Sequence, residues 1–291
     1  MIAHTRGQSS NPVPLSVVVP AHNEERVIEE RLRTLLADSQ PGEFDVVVVC
    51  NGCTDRTADV ARRVPGTRVV ERAEPGKHAA IMYGDALVGS FPRIYLDADV
   101  ALDTHAARLL GRMVAAPGVL AAGPQRRLIL DTSAWVVRAY YSVWVRLPQV
   151  ADGLFGRGVI AVSEAGYERV RKLPLARSDD LAIHLAFRPD ERRIVPDATV
   201  VIWPPRTSAD LFRRRVRALQ GTLELRDAAA TIGSRGTTSW SDLAAVLRKH
   251  PPALAAIPVF LAFALGAKAA VRWGRFDPDT WLRDESSRGR G

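Results

Sequence analysis

Along the chain, short unbroken apolar blocks alternate with segments whose apolar residues recur at helical spacing. Leu15 to Val19 (LSVVV), closed by Pro20, and Phe44 to Cys50 (FDVVVVC) are continuous β-branched runs, the pattern of strands buried on both faces. Helical spacing predicts helices from about Glu24 to Leu36, from a cap at Thr54 or Asp55 to about Val64, from Lys77 to Val88, and from Thr104 to Ala115. A shorter strand is expected at Thr67 to Glu71 and another at Ile94 to Leu96. Strands alternating with helices predict a parallel sheet with helices on both faces.

From Val119 the alternation loosens. VLAAG is strand-like and leads into the basic QRRLIL, an aromatic helix follows around Trp135 to Trp144, and the glycine-punctuated DGLFGRGVIAVS ends in a strand. Ser163 is placed to cap a helix to about Lys172, and Arg177-Ser178-Asp179-Asp180 opens another. Val195 to Trp203 reads as a late strand, and Ser208 opens a long arginine-rich helix. Residues 231–241 read as a Gly/Ser/Thr-rich linker, followed by a short amphipathic helix to Lys249. Ala253 to Ala267 then runs about 15 residues without a charge, against the ~20 that span a bilayer. Pro258 inside it predicts a bend. A membrane-inserted helix and a helix packed on the domain both fit; the flanking Lys268 and Arg272 favour the membrane.

At 291 residues the chain has room for one large α/β domain with an appendage. The net charge of +8 is carried by arginine, since lysine occurs only at Lys77, Lys172, Lys249 and Lys268. Arginine excess suits phosphate-bearing ligands, nucleic acid or anionic lipid, without choosing among them. The polar start, MIAHTRGQSSNPVP, has no apolar core of a secretory signal and reads as a disordered lead-in. Two cysteines, Cys50 and Cys53, give no disulfide framework. Their CxxC spacing at a strand exit is where a redox dithiol would sit, but a turn sequence separates them and no second pair completes a zinc site. The expected compartment is the cytoplasm.

The sharpest chemistry is at RIYLDADVAL, residues 93–102. Side chains at i and i+2 of an extended segment share a face, so Asp97 and Asp99 put two carboxylates together at a strand exit. Such a pair repels unless a proton or cation lies between, and Mg²⁺ is commonly shared between one or two carboxylates and substrate phosphates. A solvated acidic loop is the plainer alternative. Asn23, Glu24, Asn51 and Lys77 also fall on post-strand loops, the end of a parallel sheet where ligands bind.

Taken in order, VVVPAHNEE, VVVVCNGCTDRT, PGKHAA, YLDADV, SDDLAI and RRRVRALQG resemble the motifs of family 2 glycosyltransferases over about residues 14–221. The resemblance implies a GT-A fold, a Rossmann-like mixed, mainly parallel sheet flanked by helices, over residues 14–230 (a nucleotide-sugar half, 14–103, and an acceptor half, 104–230). A lead-in (1–13) precedes it and a linker with a helical, membrane-associated tail (231–291) follows. It implies an inverting transfer from a nucleotide-diphosphate sugar to an acceptor hydroxyl (glycan, lipid-linked or small molecule), with Mg²⁺ or Mn²⁺ and no nucleic acid partner. Asp99, with Asp97, would hold the metal, Asp97 also meeting the donor. Asp180 of the Asp179-Asp180 pair would be the general base, although Ser178-Asp179-Asp180 is also good helix-capping chemistry. Pro20, Ala21, Asn23, Glu24, Asn51, Asp55 and Lys77 would line the donor, with Arg214 and Arg217 at its diphosphate. Cys50-Asn51 stands where the family commonly has an acidic pair, and Arg214 and Ala218 replace the Gln and Trp of its Q-x-x-R-W motif. The missing acidic pair leaves the nucleotide base open, and the lost Gln and Trp favour a single transfer over processive synthesis. Contact with the inner face of the plasma membrane would run through residues 251–272. A nucleotidyltransferase would want a glycine-rich phosphate loop after the first strand, which PAHNEE lacks; a non-catalytic scaffold would not need Asp99 and Asp180.

Overall fold

The computed structural model describes residues 14–173, 179–225 and 238–274. The expected lead-in at 1–13, the Arg177-Ser178 helix opening, the linker up to residue 237 and the chain beyond 274 lie outside the described residues. Strands β1 (Leu15–Ala21), β2 (Phe44–Asn51), β3 (Thr67–Arg72), β4 (Arg93–Leu96), β5 (Ala101–Leu102), β6 (Ala121–Leu128), β7 (Val159–Val162) and β8 (Arg192–Ile202) form one sheet. Its order is β3-β2-β1-β4-β7-β6-β8-β5.

β1, β2, β3 and β4 pair in parallel, so the exits of β1, β2 and β4 emerge at one end. The sheet is mixed rather than purely parallel, because β7 runs antiparallel to both β4 and β6. That reversal has a functional consequence: the segment entering β7 lies beside the residues leaving β4. β6 and β8 are parallel, with a register shift between Pro124 and Gln125. β5, which hydrophobic patterning did not suggest, is two residues long and pairs with β8.

The unbroken apolar runs are strands buried on both faces. Val17, Val19, Val46 and Val48 feed one core, and Val18, Val47 and Val49 the other. On the first face lie α1 (Ile28–Leu36), α2 (Thr57–Arg62) and α4 (Thr104–Val114), contributing Ile28, Leu32, Ala61 and Leu110. The second takes Ala80 and Ile81 of α3 (Lys77–Asp85), Val170 of α7 (Glu164–Val170) and Ile183 of α8 (Asp179–Leu185). α1 begins at Ile28, not Glu24, because the Glu24 carbonyl accepts from Val27 and Ile28 while its own N–H donates to Thr57 Oγ1. Ser163 caps α7 as expected, accepting from Gly166 N.

Beneath β4, Arg93 is 2.6 Å from Asp85 and stacks between Phe91 and Tyr167. Burial pushes the Asp85 carboxyl up, against the opposing pull of Arg93 and Tyr95.

A third apolar cluster joins α5 (Trp135–Trp144), α9 (Ser208–Glu224), α10 (Trp240–Lys249) and α11 (Ile257–Arg272). Tyr140 stacks on Phe260 at 5.3 Å, and Gly266 passes close to Phe212 of α9. Pro258 does not sit inside one continuous α-helix: a 3₁₀ stretch, Pro251–Ala256, precedes α11. It falls in the first turn of α11, where its missing N–H interrupts no helical bond. Residues Pro251–Arg272 are long and apolar enough to cross a membrane by length and composition. One face is held by the domain, while Leu254 and Leu265 are 63% and 60% exposed.

Candidate active site

At the exits of β1 and β2 the polar side chains fasten the loops to one another. Pro20 and Ala21 end β1 beside Val49 and Cys50. Asn51 is buried: its Nδ2 donates to the Ala21 carbonyl at 2.8 Å, and its Oδ1 accepts from Gly76 N at 2.9 Å. Asn23, in the left-handed region at φ 53°, accepts from Thr54 N at 2.7 Å. The two oxygens of Asp55 accept from Glu25 N and Thr57 N, so this carboxylate is engaged within the loops it joins. His22 Nδ1 lies 2.6 Å from the Asn51 carbonyl.

Cys53 Sγ accepts from Asn23 N at 3.4 Å and donates to the Ala21 carbonyl at 3.6 Å. A hydrogen bond from Cys50 pulls the Cys53 thiol down to about 6, while Cys50 is pushed up by sharing that proton and by burial. Both cysteines are free.

Asn51 is tied to Gly76, and the next residue, Lys77, reaches the strand-exit aspartates. Lys77 Nζ is 2.7 Å from Asp97 Oδ1, with both side chains about one-third exposed. Burial raises the Asp97 carboxyl above its ordinary value; Lys77 opposes the rise, and Asp99 and Asp180 add to it. Three acidic side chains from two distant segments therefore share one electrostatic neighbourhood. Among the described residues no three His, Cys, Asp or Glu side chains form a closed metal cage. Asp97 and Asp99 nonetheless fit Mg²⁺ or Mn²⁺: they offer hard oxygen ligands, and Mg²⁺ ordinarily keeps waters and substrate phosphates in its remaining positions.

The link from Asp97 to Asp180 is the loop entering β7. Asp97 N donates to the Gly158 carbonyl at 2.7 Å, and Gly156 N donates to Asp180 Oδ2 at 2.6 Å. The other Asp180 oxygen accepts from Leu181 N at 2.8 Å, within the first turn of α8. Asp180 thus lies in that first turn and beside the cluster; the Asp179 side chain lies outside the described residues. Gly158 has φ 69°, and a Cβ there would meet Val100 at 2.7 Å and Asp97 Cβ at 3.3 Å, so only glycine lets the loop lie against the aspartate turn. His184 Nδ1 accepts from Leu154 N at 3.2 Å, and burial holds this imidazole down to about 3. It is a neutral strut for the same loop.

Two arginines complete the surroundings. Arg157 is 1% exposed, and its Nε, Nη1 and Nη2 donate to the carbonyls of Gly153, Pro124 and Ala151. Arg126, on β6, gives Nη2 to the Phe155 and Gly153 carbonyls and lies 5.0 Å from the Trp144 ring. Burial pushes its guanidinium down, Asp180 pulls it up, and Arg214 pushes it down again. Arg214 lies on α9 and is half-buried. Arg217, half-buried, follows it by one helical turn, while Arg213 pairs with Asp210 at 2.6 Å.

The structure brings Lys77, Asp97, Asp99 and Asp180 together and ties Ala21, Asn23, Asn51 and Asp55 into one loop network next to them. Sequence reasoning singled out none of Arg126, Gly156, Arg157 and Gly158. The glycine punctuation of DGLFGRG was the available signal, but it named no partner.

Residues 16–160 match the family model described as Glycosyl transferase family 2. A curated relative from Edwardsiella ictaluri (strain 93-146), undecaprenyl-phosphate 4-deoxy-4-formamido-L-arabinose transferase, is 36% identical over 94 residues, 30% of this chain. The match spans 29% of that relative's length. Among solved structures, mannosyltransferase PcManGT from Pyrobaculum calidifontis, in complex with GDP-Man and Mn²⁺, superposes with a TM-score of 0.60 at 22% identity, covering 94% of this chain and 84% of that one. Glucosyl-3-phosphoglycerate synthase from Mycobacterium tuberculosis gives 0.55 at 20% identity, covering 75% and 81%. These likenesses establish a GT-A-like fold.

Proposed function

The chain belongs to glycosyl transferase family 2, and from that premise we propose that it moves a sugar from a nucleotide-diphosphate donor to an acceptor hydroxyl with inversion at the anomeric carbon. The observation that carries this reading is the Asp97 carboxyl, which senses Lys77, Asp99 and Asp180 together at the shared exit end of β1, β2 and β4. Ala21, Asn23, Glu24, Asn51 and Lys77 line the donor from the neighbouring loops, with Pro20 and Asp55 shaping them. Arg214 and Arg217 add positive charge on the diphosphate side of the cleft.

Asp99 and Asp97 would hold Mg²⁺ or Mn²⁺, which when bound offsets the charge that grows on the departing diphosphate. Lys77, held 2.7 Å from the Asp97 carboxylate, would supply positive charge to the donor's phosphates. Asp180, fixed by Gly156 N and Leu181 N, takes the proton of the attacking hydroxyl. One displacement inverts the configuration, so an α-linked donor gives a β-linked product. The known complexes of the structural neighbours support this choice of ligands: GDP-Man with Mn²⁺, and Mn²⁺, UDP-glucose and phosphoglyceric acid. The undecaprenyl-phosphate transferase relative and the apolar outer face of α11 support an acceptor met at the inner face of the plasma membrane.

The test is thermal stabilisation by a panel of nucleotide sugars with and without Mn²⁺, because a ligand that binds only the folded state raises its melting point. One donor should stabilise the protein in a Mn²⁺-dependent way, and Asp99→Ala should abolish the dependence. Undiminished Mn²⁺-dependent stabilisation in that variant would overturn the metal assignment.

A further inference from the structure

We propose that α11 lies along an anionic bilayer surface, in its plane, and does not cross it. This deepens the membrane contact proposed above and rests on that part of the reading, not on the transfer chemistry. Apart from Tyr83, every large hydrophobic side chain exposed among the described residues belongs to α5, α9, α10 or the segment from Pro251 to Gly274. They are Trp135, Leu223, Trp240, Leu254, Leu265 and Trp273. Such a concentration marks a surface made to meet something other than water, and tryptophan is enriched where membrane meets water.

On α11 the outward positions form one stripe. Pro258, Ala262 and Leu265 are exposed at helical spacing, Leu254 precedes them, and the stripe runs out on exposed Lys268 and Arg272. Between Leu243 and Gly274 the chain has no acidic residue, while Arg248, Lys249, Lys268 and Arg272 are exposed toward its two ends. An apolar strip bounded by cations complements a lipid surface with acidic headgroups; a second copy of the chain would bring the same cations against it.

The inner face of α11 decides against a span. Phe260 and Phe263 pack on Tyr140 of α5, and Ala267 and Ala270 cluster with Val216 of α9, so the domain holds this helix along most of its length. Around Val216, α9 carries Arg213, Arg214, Arg215 and Arg217. A crossing helix would either abandon these contacts or draw that arginine row into hydrocarbon, which is costly. Lying flat keeps the packing and buries only the outward stripe.

The test uses the full chain and sealed phosphatidylcholine vesicles, with or without phosphatidylglycerol. The protein should cosediment with the anionic vesicles far better than with the neutral ones, and rising salt should release it. Leu254→Glu with Leu265→Glu should weaken binding about a hundredfold, as for two leucines no longer buried. Both side chains already face water, so melting temperature and Mn²⁺-dependent donor stabilisation should stay at parental values. Lys268→Gln with Arg272→Gln should weaken binding about thirtyfold, near fivefold for each charge lost. Expressed in a bacterial host and recovered on sealed inverted inner-membrane vesicles, the protein should carry a C-terminal epitope that added protease removes. An epitope cut only after detergent is added would show a span and overturn the proposal. Undiminished binding by the double-glutamate variant, equal binding to both vesicle types, or binding to neither would do the same. So would a dimer in solution that the double-glutamate variant dissociates, which gives the face to a second copy. Vesicle binding by a parent that no nucleotide sugar stabilises would sink the transferase reading alone.

Discussion

The polar side chains in the loops after β1 and β2 are bonded to one another: Asn51 joins Ala21 to Gly76, Asn23 holds Thr54, and Asp55 clamps Glu25 to Thr57. Beyond Asp180, on β6 and α5, Arg126 Nε and Nη1 and the Tyr140 hydroxyl are buried without partners. The first region is largely organised before anything binds, so a ligand there meets donors and acceptors already aimed. The second keeps these buried atoms unmet within the protein. Rigidity at one end and unmet bonding capacity at the other are what a transferase with a fixed donor type and a variable acceptor would be built from.

The strongest probe of that contrast lies on the boundary. Asp180→Asn should lower kcat by about 10²- to 10⁴-fold, the ordinary worth of a general base, with Mn²⁺-dependent donor stabilisation intact. Retained turnover would move the base elsewhere. Next come the paired arginines. Arg157→Leu strips three carbonyls of their donor and should cost about 3 kcal/mol or more in urea denaturation, whereas Arg126→Gln, which loses only the Nη2 contacts to Phe155 and Gly153, should cost about 1 kcal/mol. Equal losses would erase the distinction between a fully bonded and a partly bonded guanidinium.

Asn51→Ala at the fastened end should cost about 2 kcal/mol, for two lost buried hydrogen bonds, and raise the donor KM but not the acceptor KM. A pH series sharpens the comparison further. His184 is buried and neutral, its value held near 3 against 6.5 when free. The unfolded chain thus binds the extra proton first, so this contribution is complete above pH 6.5 and is lost as pH falls toward 3. Stability should drop by about 1 to 2 kcal/mol by pH 5, and His184→Gln should flatten that slope. The smallest effect is at Cys53, which should be alkylated at neutral pH with an apparent value about 6 while buried Cys50 is spared. Donor should slow the reaction, because Cys53 holds the Asn23 and Ala21 backbone.

Much of the nucleotide half was legible in the sequence. Its strands are unbroken valine runs, and its chemistry-bearing residues sit one or two positions past strand ends, where local geometry fixes direction. Asp97 and Asp99 are two residues apart and lie in a turn after β4, not in the extended segment expected, so their nearness comes from proximity in the chain and not from strand alternation. Arg126 was not legible, because its meaning comes from what fails to reach it across the 153–158 loop, and no periodicity encodes an unmet bond. The direction of β7 was equally hidden: a four-residue apolar strand reads the same both ways, yet its reversal is what sets Gly158 against Asp97. Pro258 reads in the sequence as the middle of an apolar run, yet α11 starts only one residue before it.

The C-terminal helix invites removal, since its outer face carries Leu254 and Leu265 in the open and a shorter chain would be easier to keep in solution. Yet Phe260 and Phe263 wall in Tyr140, and Tyr140 is part of the helix that presents Trp144 to Arg126. Trimming at residue 250 would strip that wall away. The shortened protein would be expected to handle well, keep its nucleotide end, and lose its grip on whatever the other end was shaped to hold.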